Sequence, residues 1–226
     1  MKLMKQPLRI AVWFAFVSLG LLFAATPTRA QSADDDLRVY AVSIVDVIPF
    51  RRHVSGYGVY LGNGAVLTAA HVVGRWSLLS APRVLIAGQE LLAKVEKKGS
   101  FEQTDLALLS VDETSLPVSM RLRRNPLCKK SPNVGTNVVV AYPDRTVRSE
   151  IISPTSIPPA DRARFGTLIN DVQVSGSGAF SDDLKCLLGI MSASVQTYNY
   201  RGQNRRAGYF VPAPKIADFI PAELRF

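Results

Sequence analysis

Metal ligands of the nitrogen and sulfur kind are scarce in this chain. Two histidines, His53 and His71, and two cysteines, Cys128 and Cys186, occur in 226 residues. Zinc sites draw such ligands in closely spaced pairs, and these four are far apart, so no metal site is expected. A phosphate-cradling glycine loop is missing as well, and no cofactor is expected. Acid is the rarer charge: 18 Asp and Glu stand against 27 Lys and Arg, a formal net charge of +9. A nucleic-acid face would gather that excess with interleaved aromatics. Here it is dispersed, with small groups at Arg51-Arg52, Arg121 to Lys130 and Arg201 to Arg206. Only YNYRGQNRR (198–206) mixes arginine with aromatics. Most of the basic residues read as solvated loops, so nucleic acid is not an expected partner.

Long apolar runs are absent after residue 30. Before it there is one. MKLMKQPLR carries Lys2, Lys5 and Arg9, IAVWFAFVSLGLLFAA follows with no charge, and TPTRA ends in small residues at Thr28 and Ala30. That order is a secretory signal over residues 1–30, cut before Gln31. An uncleaved anchor is the alternative, but the run is shorter than the roughly 20 residues that a span needs. A secreted or periplasmic chain follows, with no membrane attachment once the signal is gone. Removing four cations and no acid leaves +5 on residues 31–226. In an oxidising compartment Cys128 and Cys186 read as one disulfide, with two buried thiols as the alternative. The oligomeric state is not legible.

The remainder is dominated by short β-branched runs punctuated by glycine and proline, which indicates an all-β barrel or sandwich. LRVYAVSIVDVI (37–48), GYGVYLGNGAVLTAA (56–70), RVLIAG, ELLAKVEKK, DLALLSVD, TNVVVAYP, RSEIIS, GTLINDV, KCLLGIMSASV and GYFVP all read as strands. Asn63-Gly64 is a strong hairpin turn. SPTSIPPADRAR (153–164), with three prolines, reads as loop. AAHVVGRW allows one helical turn, and residues 213–226 a closing helix interrupted at Pro221. A composition break at RLRRNPLCKKSPNVG (121–135) divides the chain into halves, 31–125 and 126–226.

Three polar residues interrupt apolar strands: His71 after VLTAA, Asp105 before LALLSV, and Ser175 in QVSGSGAF. Each type has a role in acyl transfer. A serine hydroxyl needs a base to take its proton, and histidine titrates near neutrality. A buried carboxylate fixes the imidazole tautomer and stabilises its cation. Glycine after the serine permits a tight turn that aims backbone N–H groups at an oxyanion. Asp112 and Ser177 are the rival carboxylate and rival nucleophile. His53 reads as a surface residue.

VLTAAHVV, TDLALLSV and VSGSGAF followed by LLGIMSAS resemble the motif blocks of trypsin-like, chymotrypsin-fold serine peptidases, in particular the bacterial secreted type. VVVAYP resembles the strand that ends in Gly-Tyr-Pro in that group. The resemblance covers residues 40 to 215. It implies two antiparallel β-barrels with the site between them and a short C-terminal helix. It further implies His71 as general base, Asp105 as its orienting carboxylate and Ser175 as nucleophile. The oxyanion would be met by the backbone N–H groups of Gln173 and Ser175. Ile169 would floor the primary pocket, and Ser192, Ala193 and Ser194 would pair with substrate backbone. A disulfide between Cys128 and Cys186 also fits the group.

The chain departs from that pattern in three places. Gln173 stands where glycine is usual, Val174 replaces the aspartate that captures a new N-terminus in digestive members, and no acid stands at Ile169, although Asp171 is near. The reading is a secreted serine endopeptidase acting on a protein or peptide substrate. The alternative, motivated by Gln173, is a weakly active or inactive relative that binds peptides or a partner protein.

Overall fold

The computed structural model describes residues 35–48, 51–74, 81–170, 172, 174–183, 185–198 and 204–226. The expected signal (1–30), Asp171, Gln173 and most of the 198–206 stretch lie outside the described residues. Among the described residues no helix is long and apolar enough to cross a membrane.

Twelve strands form two closed antiparallel barrels. The first contains β1 (Ala41–Ile48), β2 (Arg51–Gly62), β3 (Ala65–Thr68), β4 (Arg83–Ile86), β5 (Gln89–Lys98) and β6 (Ala107–Val111). The second contains β7 (Asn137–Ala141), β8 (Thr146–Ile152), β9 (Thr167–Asn170), β10 (Gly178–Ser181), β11 (Leu187–Tyr198) and β12 (Asn204–Pro212). Around the first barrel the order is β1-β2-β3-β6-β5-β4, and the second repeats it as β7-β8-β9-β12-β11-β10. The all-β, two-barrel architecture is therefore the one the resemblance implies.

Turn chemistry sets the registers. The β2–β3 and β4–β5 hairpins both close through two residues at positive φ: Asn63 (52°) with Gly64 (71°), and Ala87 (49°) with Gly88 (78°). That twist matches the strand twist, so Gly62 faces Ala65 and Ile86 faces Gln89 across two-residue loops.

Consecutive apolar residues in the strands have a physical reason. Side chains alternate between two faces, and here both faces are buried. Val138 and Val140 of β7 point into the second barrel's own core, with Ile151, Ile169, Met191 and Phe210. Val139 and Ala141 point instead into a seam shared with Val59, Leu61, Leu67 and Leu108 of the first barrel. Tyr60 and Val66, between those seam residues, fill the first barrel with Val42, Ile44 and Leu109.

Three segments differ from their sequence reading. The run from Leu37 begins as a helical turn, α1 (Asp35–Arg38), and β1 starts only at Ala41, because Leu37 docks in the seam. The proline-rich loop contains a helix, α4 (Pro159–Phe165). Pro159 stands in its first turn, where a missing N–H costs nothing and φ is already helical. β10 is a strand of only four residues inside the serine-bearing block. One helical turn, α2 (Ala70–Val73), follows β3, and another, α3 (Val118–Arg121), follows the first barrel. The C-terminal helix α5 (Ala213–Phe219) stops before Pro221 and packs Ile216 and Phe219 into the seam. Lys97 of β5 fastens it, donating to the Phe219 carbonyl at 2.7 Å and lying over the Phe219 ring.

Candidate active site

His71 and Asp105 meet because of one strand register. Thr68, the last residue of β3, faces Ala107, the first of β6. The chain just beyond β3 therefore lies beside the chain just before β6. Ala69 and Ala70 are buried, so their methyls keep that exit close to the barrel. Gly74, at φ 61°, ends the turn that carries His71. The His71 backbone N–H donates to Asp105 Oδ1 at 3.0 Å, and its ring Nδ1 lies 2.8 Å from Oδ2. Asp105 is 1 % exposed, whereas the His71 side chain is 38 % exposed.

Ser192 donates a third hydrogen bond, from Oγ to Asp105 Oδ2. Burial pushes the Asp105 carboxyl up. The His71 ring, the Ser192 hydroxyl and the His71 amide outweigh that and hold it below its ordinary value of 3.8. An ionised carboxylate only accepts, so the ring nitrogen facing it, Nδ1, carries a proton, and Nε2 is the nitrogen turned away from Asp105. The rival carboxylate is occupied elsewhere: Asp112 caps a short 3-10 turn through the Thr114 amide, Thr114 Oγ1 and Ser115 Oγ, on the surface.

Ser175 comes from the second barrel, in the turn between β9 and β10. Its carbonyl accepts from the Tyr57 amide of β2 at 3.0 Å, and the Gly176 amide donates to Met191 of β11 at 2.8 Å. Gly176 sits at φ 86°, and a Cβ there would collide with the Tyr57 carbonyl. Thr68 Oγ1 holds that same carbonyl at 2.5 Å. The glycine is thus required by both backbone conformation and close approach. The rival Ser177 is fully buried, and its hydroxyl has no hydrogen-bond partner among the described residues. The Ser175 hydroxyl donates to the Ser192 carbonyl at 3.0 Å. Among the described residues no hydrogen bond joins it to the His71 ring.

The other expected site residues divide. Ile169 is fully enclosed in the core of the second barrel, opposite Gly208 of β12. Ser192 is 1 % exposed at a bulge in β11, where pairing slips between Met191 facing Phe210 and Ala193 facing Tyr209. An extra residue re-aims side chains, and this one turns the Ser192 hydroxyl onto Asp105. Ala193 is half-buried and Ser194 exposed. Gln173, the expected second oxyanion donor, lies outside the described residues. Cys128 and Cys186 form a disulfide. It ties the segment entering the second barrel to the start of β11, beside the bonds from Cys128 N to Leu187 O and from Leu187 N to Pro126 O.

Phe101 was not foreseen. In the turn before Asp105, its ring stands edge-on to the imidazole, 6.2 Å between centroids. Arg164 of α4 pins it, donating to the Phe101 carbonyl at 2.6 Å and lying 5.4 Å from its ring. An aromatic near the aspartate block was the only sequence signal. Thr68 and Ser192, lone hydroxyls in apolar strands, offered a better one.

No family model and no curated protein matches this chain. Solved structures do. The active form of the Rv3671c protease from M. tuberculosis aligns over 92 % of this chain and 92 % of its own, with a TM-score of 0.56 and 17 % identity. The chain has the chymotrypsin fold. Kallikrein-related peptidase 10 aligns over 83 % of this chain and 96 % of its own, with a TM-score of 0.56 and 19 % identity. The MamO protease domain from Magnetospirillum magneticum aligns over 82 % and 97 %, with a TM-score of 0.54 and 17 % identity. At such identities the likeness concerns the fold. His71 and Asp105 of the first barrel lie beside Ser192 of the second, which also accepts from the Ser175 hydroxyl.

Proposed function

We propose that this chymotrypsin-fold chain is a secreted or periplasmic serine endopeptidase. The observation that carries the reading is the hydrogen-bonded set His71–Asp105–Ser192 in contact, through the Ser192 carbonyl, with the hydroxyl of Ser175. Ser175 Oγ attacks a peptide carbonyl while His71 Nε2 takes its proton. Asp105 holds the imidazole and balances the positive charge that forms. The tetrahedral oxyanion is met by the amides of Ser175 and Gln173. His71 then returns the proton to the leaving amine, and water hydrolyses the acyl-enzyme along the same proton path. Substrate backbone adds to β11 at Ala193 and Ser194. No cofactor takes part in this sequence. The leader-like start and the disulfide support export to an oxidising compartment.

The test is prolonged exposure of the mature protein to a fluorophosphonate, with peptide mapping by mass spectrometry beside Ser175→Ala. An adduct on Ser175, lost in the variant, is the expected result. Folded protein that stays unmodified would instead be a peptide-binding relative.

A further inference from the structure

The bond to Asp105 fixes one corner of the His71 imidazole, at Nδ1. A ring held at one atom can still tilt, and this side chain is 38 % exposed. A second restraint is Phe101, whose ring stands edge-on to the imidazole. Phe101 lies in the tight turn that leads to Asp105, where the Gln103 and Thr104 amides both donate to the Ser100 carbonyl. Contacts from the second barrel hold it. Arg164, at the end of α4, donates from one guanidinium nitrogen to the Phe101 carbonyl at 2.6 Å and from the other to the Asp161 carboxylate. The same guanidinium lies against two rings, 5.4 Å from Phe101 and 5.2 Å from Phe165. Phe165 is fully buried and meets Tyr209 of β12 at 4.4 Å, so the arm is rooted in the seam. A planar guanidinium suits this task, because its donors point along its edge while its faces stay free for aromatic rings.

We propose that Arg164 is a positioning residue for the base: through Phe101 it holds the His71 imidazole from the barrel that carries the nucleophile. This rests on the peptidase reading above. The imidazole is then fixed at two places, at Nδ1 by Asp105 and along the ring by Phe101. Without the brace the ring keeps its carboxylate bond but loses its fixed aim at the Ser175 hydroxyl. Proton transfer depends on alignment, and a displacement of about 1 Å costs up to about a hundredfold. A residue that acts only on the geometry of the base lowers kcat and kcat/KM alike.

Two readouts on the mature protein test this, one on the ring and one on the chemistry. The chain has two histidines, so proton NMR gives two sets of carbon-bound imidazole signals, assigned with His53→Gln. The Phe101 ring current displaces those of His71, and Phe101→Leu removes the displacement. Arg164→Ala leaves Phe101 in the chain, yet shifts the His71 signals towards their Phe101→Leu positions. The His53 signals stay in place, as they would not in a general loss of structure. Fluorophosphonate labelling of Ser175 slows about tenfold in Arg164→Ala, and the double variant with Phe101→Leu is no slower than the slower single one. Arg164→Lys keeps a donor for the carbonyl without the planar face, and falls between wild type and Arg164→Ala. His71 signals indifferent to Arg164→Ala overturn the brace, and so do additive losses in the double variant. If the wild-type protein is never labelled, the peptidase reading fails and the brace with it. Labelled protein with indifferent His71 signals refutes the brace alone.

Discussion

The two barrels share one strand order and divide the chemistry unequally. In the first, His71 and Asp105 are brought together by a single ladder, β3 on β6, and their contact depends on residues close to both. In the second, Ser175 rides a turn whose backbone is clamped by strands from both barrels, β2 through Tyr57 and β11 through Met191, while its hydroxyl donates to the Ser192 carbonyl. On the proposed reading, the proton-handling pair is preassembled within one barrel, while the nucleophile depends on the seam. Disturbing the first barrel near its site should change how rate depends on pH. Disturbing the seam should change whether the nucleophile is presented.

The sharpest test is removal of the nucleophile. Ser175→Ala is expected to lower peptide turnover on the order of 10⁶-fold, with little change in thermal unfolding, measured on an unstructured protein substrate. Asp105→Asn should cost about 10⁴-fold at neutral pH, since an amide favours the wrong tautomer, and binding of a substrate-like peptide should persist. Replacing both Cys128 and Cys186 by Ala releases a link across 58 residues of chain, worth about 4 kcal/mol by loop-closure entropy. Urea unfolding measures that loss, and the His71–Asp105 pair, in the other barrel, should keep its NMR signature. Gly176→Ala drives a methyl into the Tyr57 carbonyl at a left-handed backbone position and should cost about 3 kcal/mol with loss of labelling at Ser175.

The smallest effect falls on Ser192→Ala, about 1 kcal/mol for one donor. It also carries a sign in pH. The Asp105 carboxyl is held below its ordinary value, so its stabilisation is present above pH 3.8 and fades as pH falls through the lower folded value. Without the Ser192 donor that folded value rises. Acid unfolding of the variant should then begin at higher pH, while the alkaline limb stays unchanged.

Much of this was readable beforehand, and the failures have physical causes. His71 stood out because a polar ring behind two alanines has no place in a buried strand. The all-β class was legible because short β-branched runs punctuated by glycine and proline read as strands, but that pattern left barrel and sandwich open, and the two barrels were implied only by the resemblance. The helix α4 was hidden because Pro158 and Pro159 signal a loop and a helix start alike. The turn of Ser192 towards Asp105 was hidden for another reason. Alternation along a strand gives a residue's face only when the register is unbroken, and a bulge reverses it. The pinning of Phe101 by Arg164 joins positions 63 residues apart on different halves, a meeting no local pattern encodes.

Closure of the sheets has a consequence beyond the site. An open sheet ends in a row of unpaired N–H and C=O groups, which recruit strands from other chains and seed aggregates. Here β1 returns to β4 and β7 to β10, so each ring of strands pairs with itself. A chain that meets other folding chains at high concentration gains colloidal safety from that ring. On the proposed peptidase reading, the stretch of β11 at Ala193 and Ser194 is then the place where a foreign backbone is welcome.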